Sequence, residues 1–330
     1  MTPTIVFDTY WQFAAERQAM FYRRLTGAAS PWTSDPILRT FRFTNAYRAC
    51  DRVSQYLIRE IQYHPDRPQD PHELFFRTLL FKMFNRIETW QAIERSLGPV
   101  IWEHLNLDML THVLQGLATR GIQLYSPAYI MPSPPFGHLR KFANHLALLV
   151  QMMHDRLPDR ICQARSLRTV YETMLTYPGL GPFLAFQYTI DLNYSAMLNF
   201  DEGDFVVAGP GALDGISKCF VEADERSAEE LIYWVADRQD SEFKRMGLQF
   251  DGLFGRRLQP IDCQNLFCEI SKYSRVAHPE VPGIAHRHRI KRLYRPDARP
   301  LPPPSFPPRW RVKIPRQPIP KSGATQIAMF

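Results

Sequence analysis

The sequence predicts an all-α body, a multi-helix bundle with a helix-hairpin-helix, followed by a basic, proline-rich tail. Three observations predict it. Apolar residues recur at three- and four-residue spacing through most of residues 1–280. No segment commits to a β-sheet. The stretch LTYPGLGPFLA (175–185) reads as two helices joined by a glycine-containing turn.

The elements follow in order. Residues 4–27 form an amphipathic helix, with Trp11, Phe13, Ala14, Met20, Phe21 and Leu25 on one side, ended by Gly27 and Pro31. Residues 41–63 show the same spacing through Phe43, Ala46, Tyr47, Val53, Tyr56, Leu57 and Ile61, which predicts one further helix. Residues 72–86 are apolar nearly all round, so that helix is buried. Helices are expected over 88–97 and 104–119. Residues 124–137 carry four prolines and read as a loop, and helices resume over 138–156 and 166–176. The division is a helical domain over 1–284 and a tail over 285–330. Ten prolines lie between Pro296 and Pro320 among basic residues, a composition that predicts polyproline II or disorder.

Composition excludes several classes. With 45% hydrophobic and 22% charged residues the chain has globular composition. No apolar run is long enough to span a membrane, and the first residues lack the basic start of a signal peptide. The cysteines (Cys50, Cys162, Cys219, Cys263 and Cys268) are odd in number and form no CxxC pair, which predicts reduced thiols in an intracellular setting and no zinc site. The net charge of +7 is unevenly placed: residues 286–321 hold eleven of the 40 basic residues and one of the 33 acidic ones. Such an arm points to an anionic partner, DNA above all. In a eukaryotic host RHRIKRLYR (287–295) would also serve as a nuclear import signal.

The hairpin carries most of the functional argument. A helix ends at Thr176, Pro178-Gly179-Leu180-Gly181 turns the chain, and Pro182 opens the next helix, where its missing N–H costs nothing. Gly179 and Gly181 allow positive φ and close approach of a ligand, while Leu180 packs back. A hairpin of this kind presents backbone N–H groups at a helix N-terminus to a DNA phosphate; the bland reading is an ordinary turn between helices. In helix-hairpin-helix DNA glycosylases a catalytic aspartate lies roughly twenty residues past the last hairpin glycine. Asp204 falls there, in an EGD turn where it could equally be a surface acid. Gly209-Pro210-Gly211-Ala212 reads as a phosphate-approach loop or a tight turn. It is no Walker motif, since Lys218 is neither preceded by glycine nor followed by Ser or Thr.

Residues 261–275 read as a helix carrying Asp262, Asn265, Glu269 and Lys272 on one face, with Gln264 and Arg275 beside it. Residue types alone leave two readings open: a solvated face, or one that grips an extruded base and its phosphate. Asn45, Arg48 and Asp51 form a second polar stripe, either a buried network or a substrate contact. In the tail, His286 and His288 read as phosphate contacts.

Five segments in order, FRFTNAYRACDRVSQYLI (41–58), FNRIETW (84–90), YPGLGPFLAFQYTIDLNY (177–194), DFVVAGPGALDGISKCF (204–220) and LQPIDCQNLFCEISKYSRVAHPE (258–280), resemble the helical domain of 5-hydroxymethyluracil DNA kinases. That group is also described as thymine-hypermodification enzymes of the α-glutamyl/putrescinyl thymine pyrophosphorylase type, distant relatives of helix-hairpin-helix glycosylases. The resemblance implies a DNA-glycosylase-like fold, DNA as substrate, base flipping and transfer of a group to the 5-hydroxymethyl. It favours Asp204, Asp262, Glu269 and Lys272 as catalytic residues and Gly179, Leu180, Gly181, Gly209, Gly211, Gln264, Asn265 and Arg275 as DNA contacts. Kinase members carry a separate P-loop domain that this sequence lacks, which implies a partner kinase or other modification enzyme. No cofactor or metal motif is evident; Mg2+ enters only if a phosphoryl group is handled here. The rival readings are glycosylase-like excision of a modified pyrimidine and a non-catalytic DNA-binding protein, for which the polar faces at 45–51 and 262–275 would not converge.

Overall fold

The computed structural model describes residues 2–128, 130–221, 226–297 and 300–315. Its helices run α1 Ile5–Leu25, α2 Pro36–Thr40, α3 Arg52–Tyr56 continuing as a π-helical turn Leu57–Gln62, α4 Pro71–Phe84, α5 Ile87–Leu97 and α6 Leu107–Thr119. They continue with α7 Lys141–His154, α8 Leu157–Cys162, α9 Leu167–Leu175, α10 Pro182–Asn193, α11 Pro210–Cys219, α12 Ala228–Arg245 and α13 Pro260–Ala277. Among the described residues β-pairing is confined to isolated bridges, and no helix is long and apolar enough to cross a membrane. The fold is all-helical, as its apolar spacing predicts.

Two apolar cores share one helix. α1, α11, α12 and α13 enclose the first, around Tyr10, Trp11, Phe243, Phe267 and Ile270. α4 to α9 enclose the second, around Phe75, Phe81, Trp90, Leu114 and Leu149. α10 lies between them. It gives Phe186 and Ile190 to the first core and Leu184, Tyr188 and Leu192 to the second. Every residue of α10 from Leu184 to Asn193 is buried, so its polar members Gln187, Asp191 and Asn193 must find partners inside the protein.

A glycine-containing turn between two helices forms where predicted. α9 ends at Leu175, Gly179 takes φ 82°, and Gly181 is the N-cap of α10 with Pro182 in its first turn. The Pro-rich loop packs on it: a Cβ at Gly179 would sit 3.2 Å from Pro134.

Three predictions need correction. Residues 41–63 are not one helix. The chain reaches Arg48–Cys50 as a 3-10 turn before α3 begins at Arg52. Asn45 and Asp51 explain it. The Asp51 carboxylate accepts the Asn45 N–H (2.9 Å), and the Asn45 amide donates to the Cys50 carbonyl (2.9 Å), so side chains capture backbone groups that a helix would have used. Consequently Asn45, Arg48 and Asp51 do not share a helical face.

The second correction concerns GPGA. It is the start of a helix, with Gly209 as N-cap and Pro210 in the first turn of α11. α11 crosses α13 so closely that a Cβ on Gly211 would meet the Cys268 sulfur, and one on Gly215 the Phe267 carbonyl oxygen, each well under 3.0 Å. These glycines serve helix packing.

The third concerns the tail, whose described part lies on the body. Phe41 bridges Leu293 through Arg42 N–H to the Arg292 carbonyl (3.0 Å) and Tyr294 N–H to the Thr40 carbonyl (2.9 Å). Further on, Gln55 exchanges two hydrogen bonds with the Ser305 backbone (2.8 and 2.9 Å). The Arg309 guanidinium then donates to the carbonyls of Asn193 and Leu198, the latter at 2.9 Å, closing the C-terminal end of α10. Prolines reduce the entropy lost on docking, and Phe306 and Trp310, stacked on each other at 5.9 Å, supply the apolar anchor. The end of the predicted tail, residues 316–330, lies outside the described residues.

Candidate nucleic-acid interface

The buried polar residues of α10 organise the interior. Asp191 stands between two cations, Arg48 Nη1 at 2.8 Å and Lys82 Nζ at 3.3 Å. Lys82 also donates to Asn85 Oδ1 (2.7 Å), and Arg48 Nε to Gln187 Oε1 (3.1 Å). The π-helical turn turns Gln62 inward, where its amide donates to the Asp191 carbonyl (2.8 Å). Arg48, Lys82 and Asp191 are at most 4% exposed. Two cations and one carboxylate are thus held without access to bulk water.

The two predicted polar stripes meet. Asp262, in the first turn of α13, accepts the Arg48 N–H (2.9 Å) and the Gln259 N–H (3.1 Å). Asn265 donates to the Thr44 hydroxyl (3.1 Å) and the Asn45 carbonyl (3.3 Å). Glu269 accepts the Thr44 N–H (3.2 Å) and pairs with Lys272. Arg17 from α1 reaches the same loop, donating to Asn45 Oδ1 (3.1 Å) and the Thr44 carbonyl (2.8 Å). The stripes therefore join directly, and the Asp262 and Glu269 carboxylates are buried and committed to backbone N–H groups.

Asp204 does not join them. It is exposed in the turn before α11, its N–H on the Asp201 carbonyl (3.3 Å). Its neighbour Glu202 is the buried acid: it accepts the Trp310 indole N–H (3.0 Å) and faces Arg256 (3.4 Å) and Arg309 (3.7 Å). Sequence reasoning favours an N-cap or surface acid for Glu202, and passes over Asp191 and Lys82. The signal for the last two was present, since Asp191 and Lys82 sit among apolar residues in helices rich enough in them to be buried nearly all round, and a charge there needs a partner.

Three of these carboxyls titrate high. Burial pushes Glu202 up to about 7 against the pull of Arg256, and pushes Asp51 and Asp262 up to about 6 against backbone N–H donors. A carboxyl whose folded pKa exceeds its unfolded value binds protons more tightly when folded. Its contribution is complete below about pH 4 and is lost as pH rises through 6–7. The protein is therefore expected to melt at a higher temperature at pH 5 than at pH 8, and Glu202→Gln should flatten that slope. Melts that rise from pH 5 to 8 would contradict the assignment.

The surface above this interior is made by helix N-termini. Gly181 caps α10 and Gly209 caps α11; neither helix has a side-chain cap, and both open on proline. The two ends are adjacent: a Cβ on Gly209 would lie 2.9 Å from the Phe183 ring and 3.3 Å from the Gln264 amide nitrogen. Gly181, Pro182 and Pro210 are exposed, whereas Leu180 and Gln264 are buried. Cys268, half-buried, lies against Gly211, and Lys272 and Arg275 continue along α13, both partly exposed. Two clustered helix N-termini bring the positive ends of two helix dipoles together, which attracts negative charge.

These helices build an all-helical domain, and comparison with known proteins gives its class. Residues 4–283 match the family model described as "5-hmdU DNA kinase, helical domain". The chain belongs to this family. Over 291 residues it is 25% identical to the 5-hmdU DNA kinase of Bacillus phage SP10, an alignment that covers 82% of this chain and 45% of that protein. The chain thus spans less than half the length of the curated relative it matches. No solved structure matches it.

Proposed function

We propose that this chain is the DNA-binding and base-presenting part of an enzyme that modifies 5-hydroxymethyluracil in DNA. The observation that carries the reading is the adjacent pair of glycine-capped N-termini, α10 and α11. Backbone amides at such ends hold phosphates without reading sequence, as a base-extruding protein requires of its backbone grip. Gly181, exposed at the start of α10, lets the strand approach, Gly179 and Leu180 set the turn beneath it, and Gly209 brings α11 against Phe183. Gly211, Gln264 and Asn265 set the spacing of α11, α13 and the 44–51 loop. Asp204 is the exposed acid in the turn before α11, and this reading assigns it the contact with the extruded nucleotide. Asp262 and Glu269 act from beneath as positioning residues for the 44–51 loop, and Lys272 supplies the charge at the rim. Phosphoryl transfer belongs to a kinase domain or partner, as the phage relative's name and greater length suggest. The excision alternative would need Asp204 or Lys218 at the anomeric carbon, whereas Asp204 is exposed in its turn and Lys218 is buried against Ser271 and Ser274.

The reading is tested by placing a carboxylate on the amides. A side chain at Gly181 meets nothing within 4 Å, and its φ of −78° suits any residue. Aspartate is a favoured N-cap, so Gly181→Asp should keep or raise stability while occupying the N–H groups itself. Anisotropy titrations with a duplex containing 5-hydroxymethyluracil should show binding weakened about tenfold, with a shallower dependence on salt as a phosphate contact is lost. Equal affinity and equal salt slope for both proteins would refute the interface. Equal affinity for thymine and 5-hydroxymethyluracil duplexes would confine the function to non-specific DNA binding.

A further inference from the structure

The C-terminal end of α11 holds a feature that the proposed interface leaves unused. Lys218 is buried, with Nζ 3.1 Å from the Ser274 hydroxyl and 3.4 Å from the Ser271 carbonyl. The nearby carboxylate, Asp214, has both oxygens engaged: one accepts the Ala285 N–H (2.7 Å), the other the Ser271 hydroxyl. Arg275 is fixed against the Ser271 carbonyl and hydroxyl, both at 3.2 Å, and donates to the Arg289 carbonyl at 3.1 Å. The chain leaving α13 then folds back over this corner. Gly283 approaches so closely that a Cβ there would overlap both Asp214 and Lys218. His286 takes a left-handed φ of 47°, a costly conformation for a non-glycine residue, as the chain turns into Arg287 and His288.

These segments enclose a cavity of about 100 Å³. Lys218, Arg275, His286, Arg287 and His288 supply its polar wall, the Pro279–Gly283 turn the remainder, and no carboxylate lines it. Three cations facing a recess beside apolar Val281 and Pro282 form a poor site for a cation or a neutral solute and a good one for an anion. The volume suits one tetrahedral oxyanion, being about that of three waters. Being recessed, the cavity admits a chain end more readily than a phosphodiester held in a continuous backbone. It lies one helix length from Gly209, about 15 Å for the ten residues of α11. It is therefore distinct from the paired N-termini, and it stands whether or not those bind DNA.

We propose that this cavity binds a terminal phosphate, as a phosphomonoester or pyrophosphate. Titration calorimetry of the full chain with pyrophosphate, inorganic phosphate and sulfate at low ionic strength tests it. Saturable binding of pyrophosphate is expected. Arg287 is exposed, so Arg287→Ala should leave the melting temperature unchanged and weaken binding about tenfold, the order of one charge-assisted contact. Lys218→Met should abolish binding; should that variant fail to fold, Arg287→Ala and His288→Ala carry the test. A 5′-phosphorylated oligonucleotide should displace pyrophosphate, and the same oligonucleotide with a 5′-hydroxyl should not. Absence of saturable binding, or binding undiminished in Arg287→Ala and His288→Ala, would overturn the proposal. Equal competition by the 5′-hydroxyl oligonucleotide would replace the terminal phosphate with a backbone diester and equally overturn it.

Discussion

Asp191→Ala is expected to lower the unfolding free energy by about 3–5 kcal/mol, the usual result of removing one partner from a buried ion pair. The carboxylate faces Arg48 at 2.8 Å and Lys82 at 3.3 Å, and both cations are shut off from water. Without it, two like charges remain in a low-dielectric interior. Lys82 can escape by losing its proton, but a guanidinium cannot, so Arg48 must either stay charged without its closest carboxylate or leave its site. Leaving is costly, because its Nε holds Gln187 and its own N–H holds Asp262. The 44–51 loop would therefore come off α13 together with Arg48. Lys82→Met is the contrasting change. It keeps the Arg48–Asp191 pair and replaces a buried ammonium with an apolar chain of similar length, so a loss of under about 2 kcal/mol is expected. The double variant should lose less than the sum of the single losses, since the residues share one network. Urea unfolding with a common slope measures all three. A loss below about 1 kcal/mol for Asp191→Ala would mean that water reaches Arg48, and the network would not be the element that positions the loop.

The parts of this fold that were legible in the sequence are those set by local chemistry. Proline after a glycine turn favours a helix start, so the start of α10 at Pro182 could be placed to the residue. The α13 helix was predicted over 261–275 and runs Pro260–Ala277, because its period is long and regular. The 41–63 segment misled for a specific reason: its apolar spacing fits a helix, but Asn45 and Asp51 compete for the backbone across six residues, and a period count cannot see that competition. α12 was passed over although SAEE spells a capping box, and Ser227 and Glu230 do form one. For the tail, composition averages over residues, whereas docking depends on a few; Arg309 and Trp310 hold a stretch that proline content alone assigns to solvent. At the site, residue types left open whether the α13 face and the 45–51 stripe converge. They did not show that the two meet by burying their carboxylates, nor that Asp191 and Glu202 are the interior acids, because both facts depend on which helices cross.

Gly215→Ala is expected to be the most disruptive methyl that can be added to this protein. Its Cβ would fall well under 3.0 Å from the Phe267 carbonyl oxygen, an atom of helix backbone that cannot rotate aside. α11 and α13 would have to separate, and their interface joins Ala212, Ile216 and Cys219 to Cys263, Leu266, Phe267 and Ile270 in the first core. Overpacking usually costs about 1–3 kcal/mol when side chains can shift; a backbone clash at the centre of a crossing should exceed that range. Gly211→Ala provides the control on the same helix. There the obstacle is the Cys268 sulfur, the end of a side chain, and Cys268→Ala should recover most of the loss. The pair separates two explanations for a glycine-rich helix start. If these glycines serve ligand approach alone, both alanine variants should stay stable and lose DNA affinity. If they serve the crossing, Gly215→Ala should unfold early, and the Gly211→Ala, Cys268→Ala double variant should regain both its stability and its DNA affinity. The second pattern is expected, because the position of the α11 N-terminus beside Phe183 is itself set by how closely α11 lies on α13.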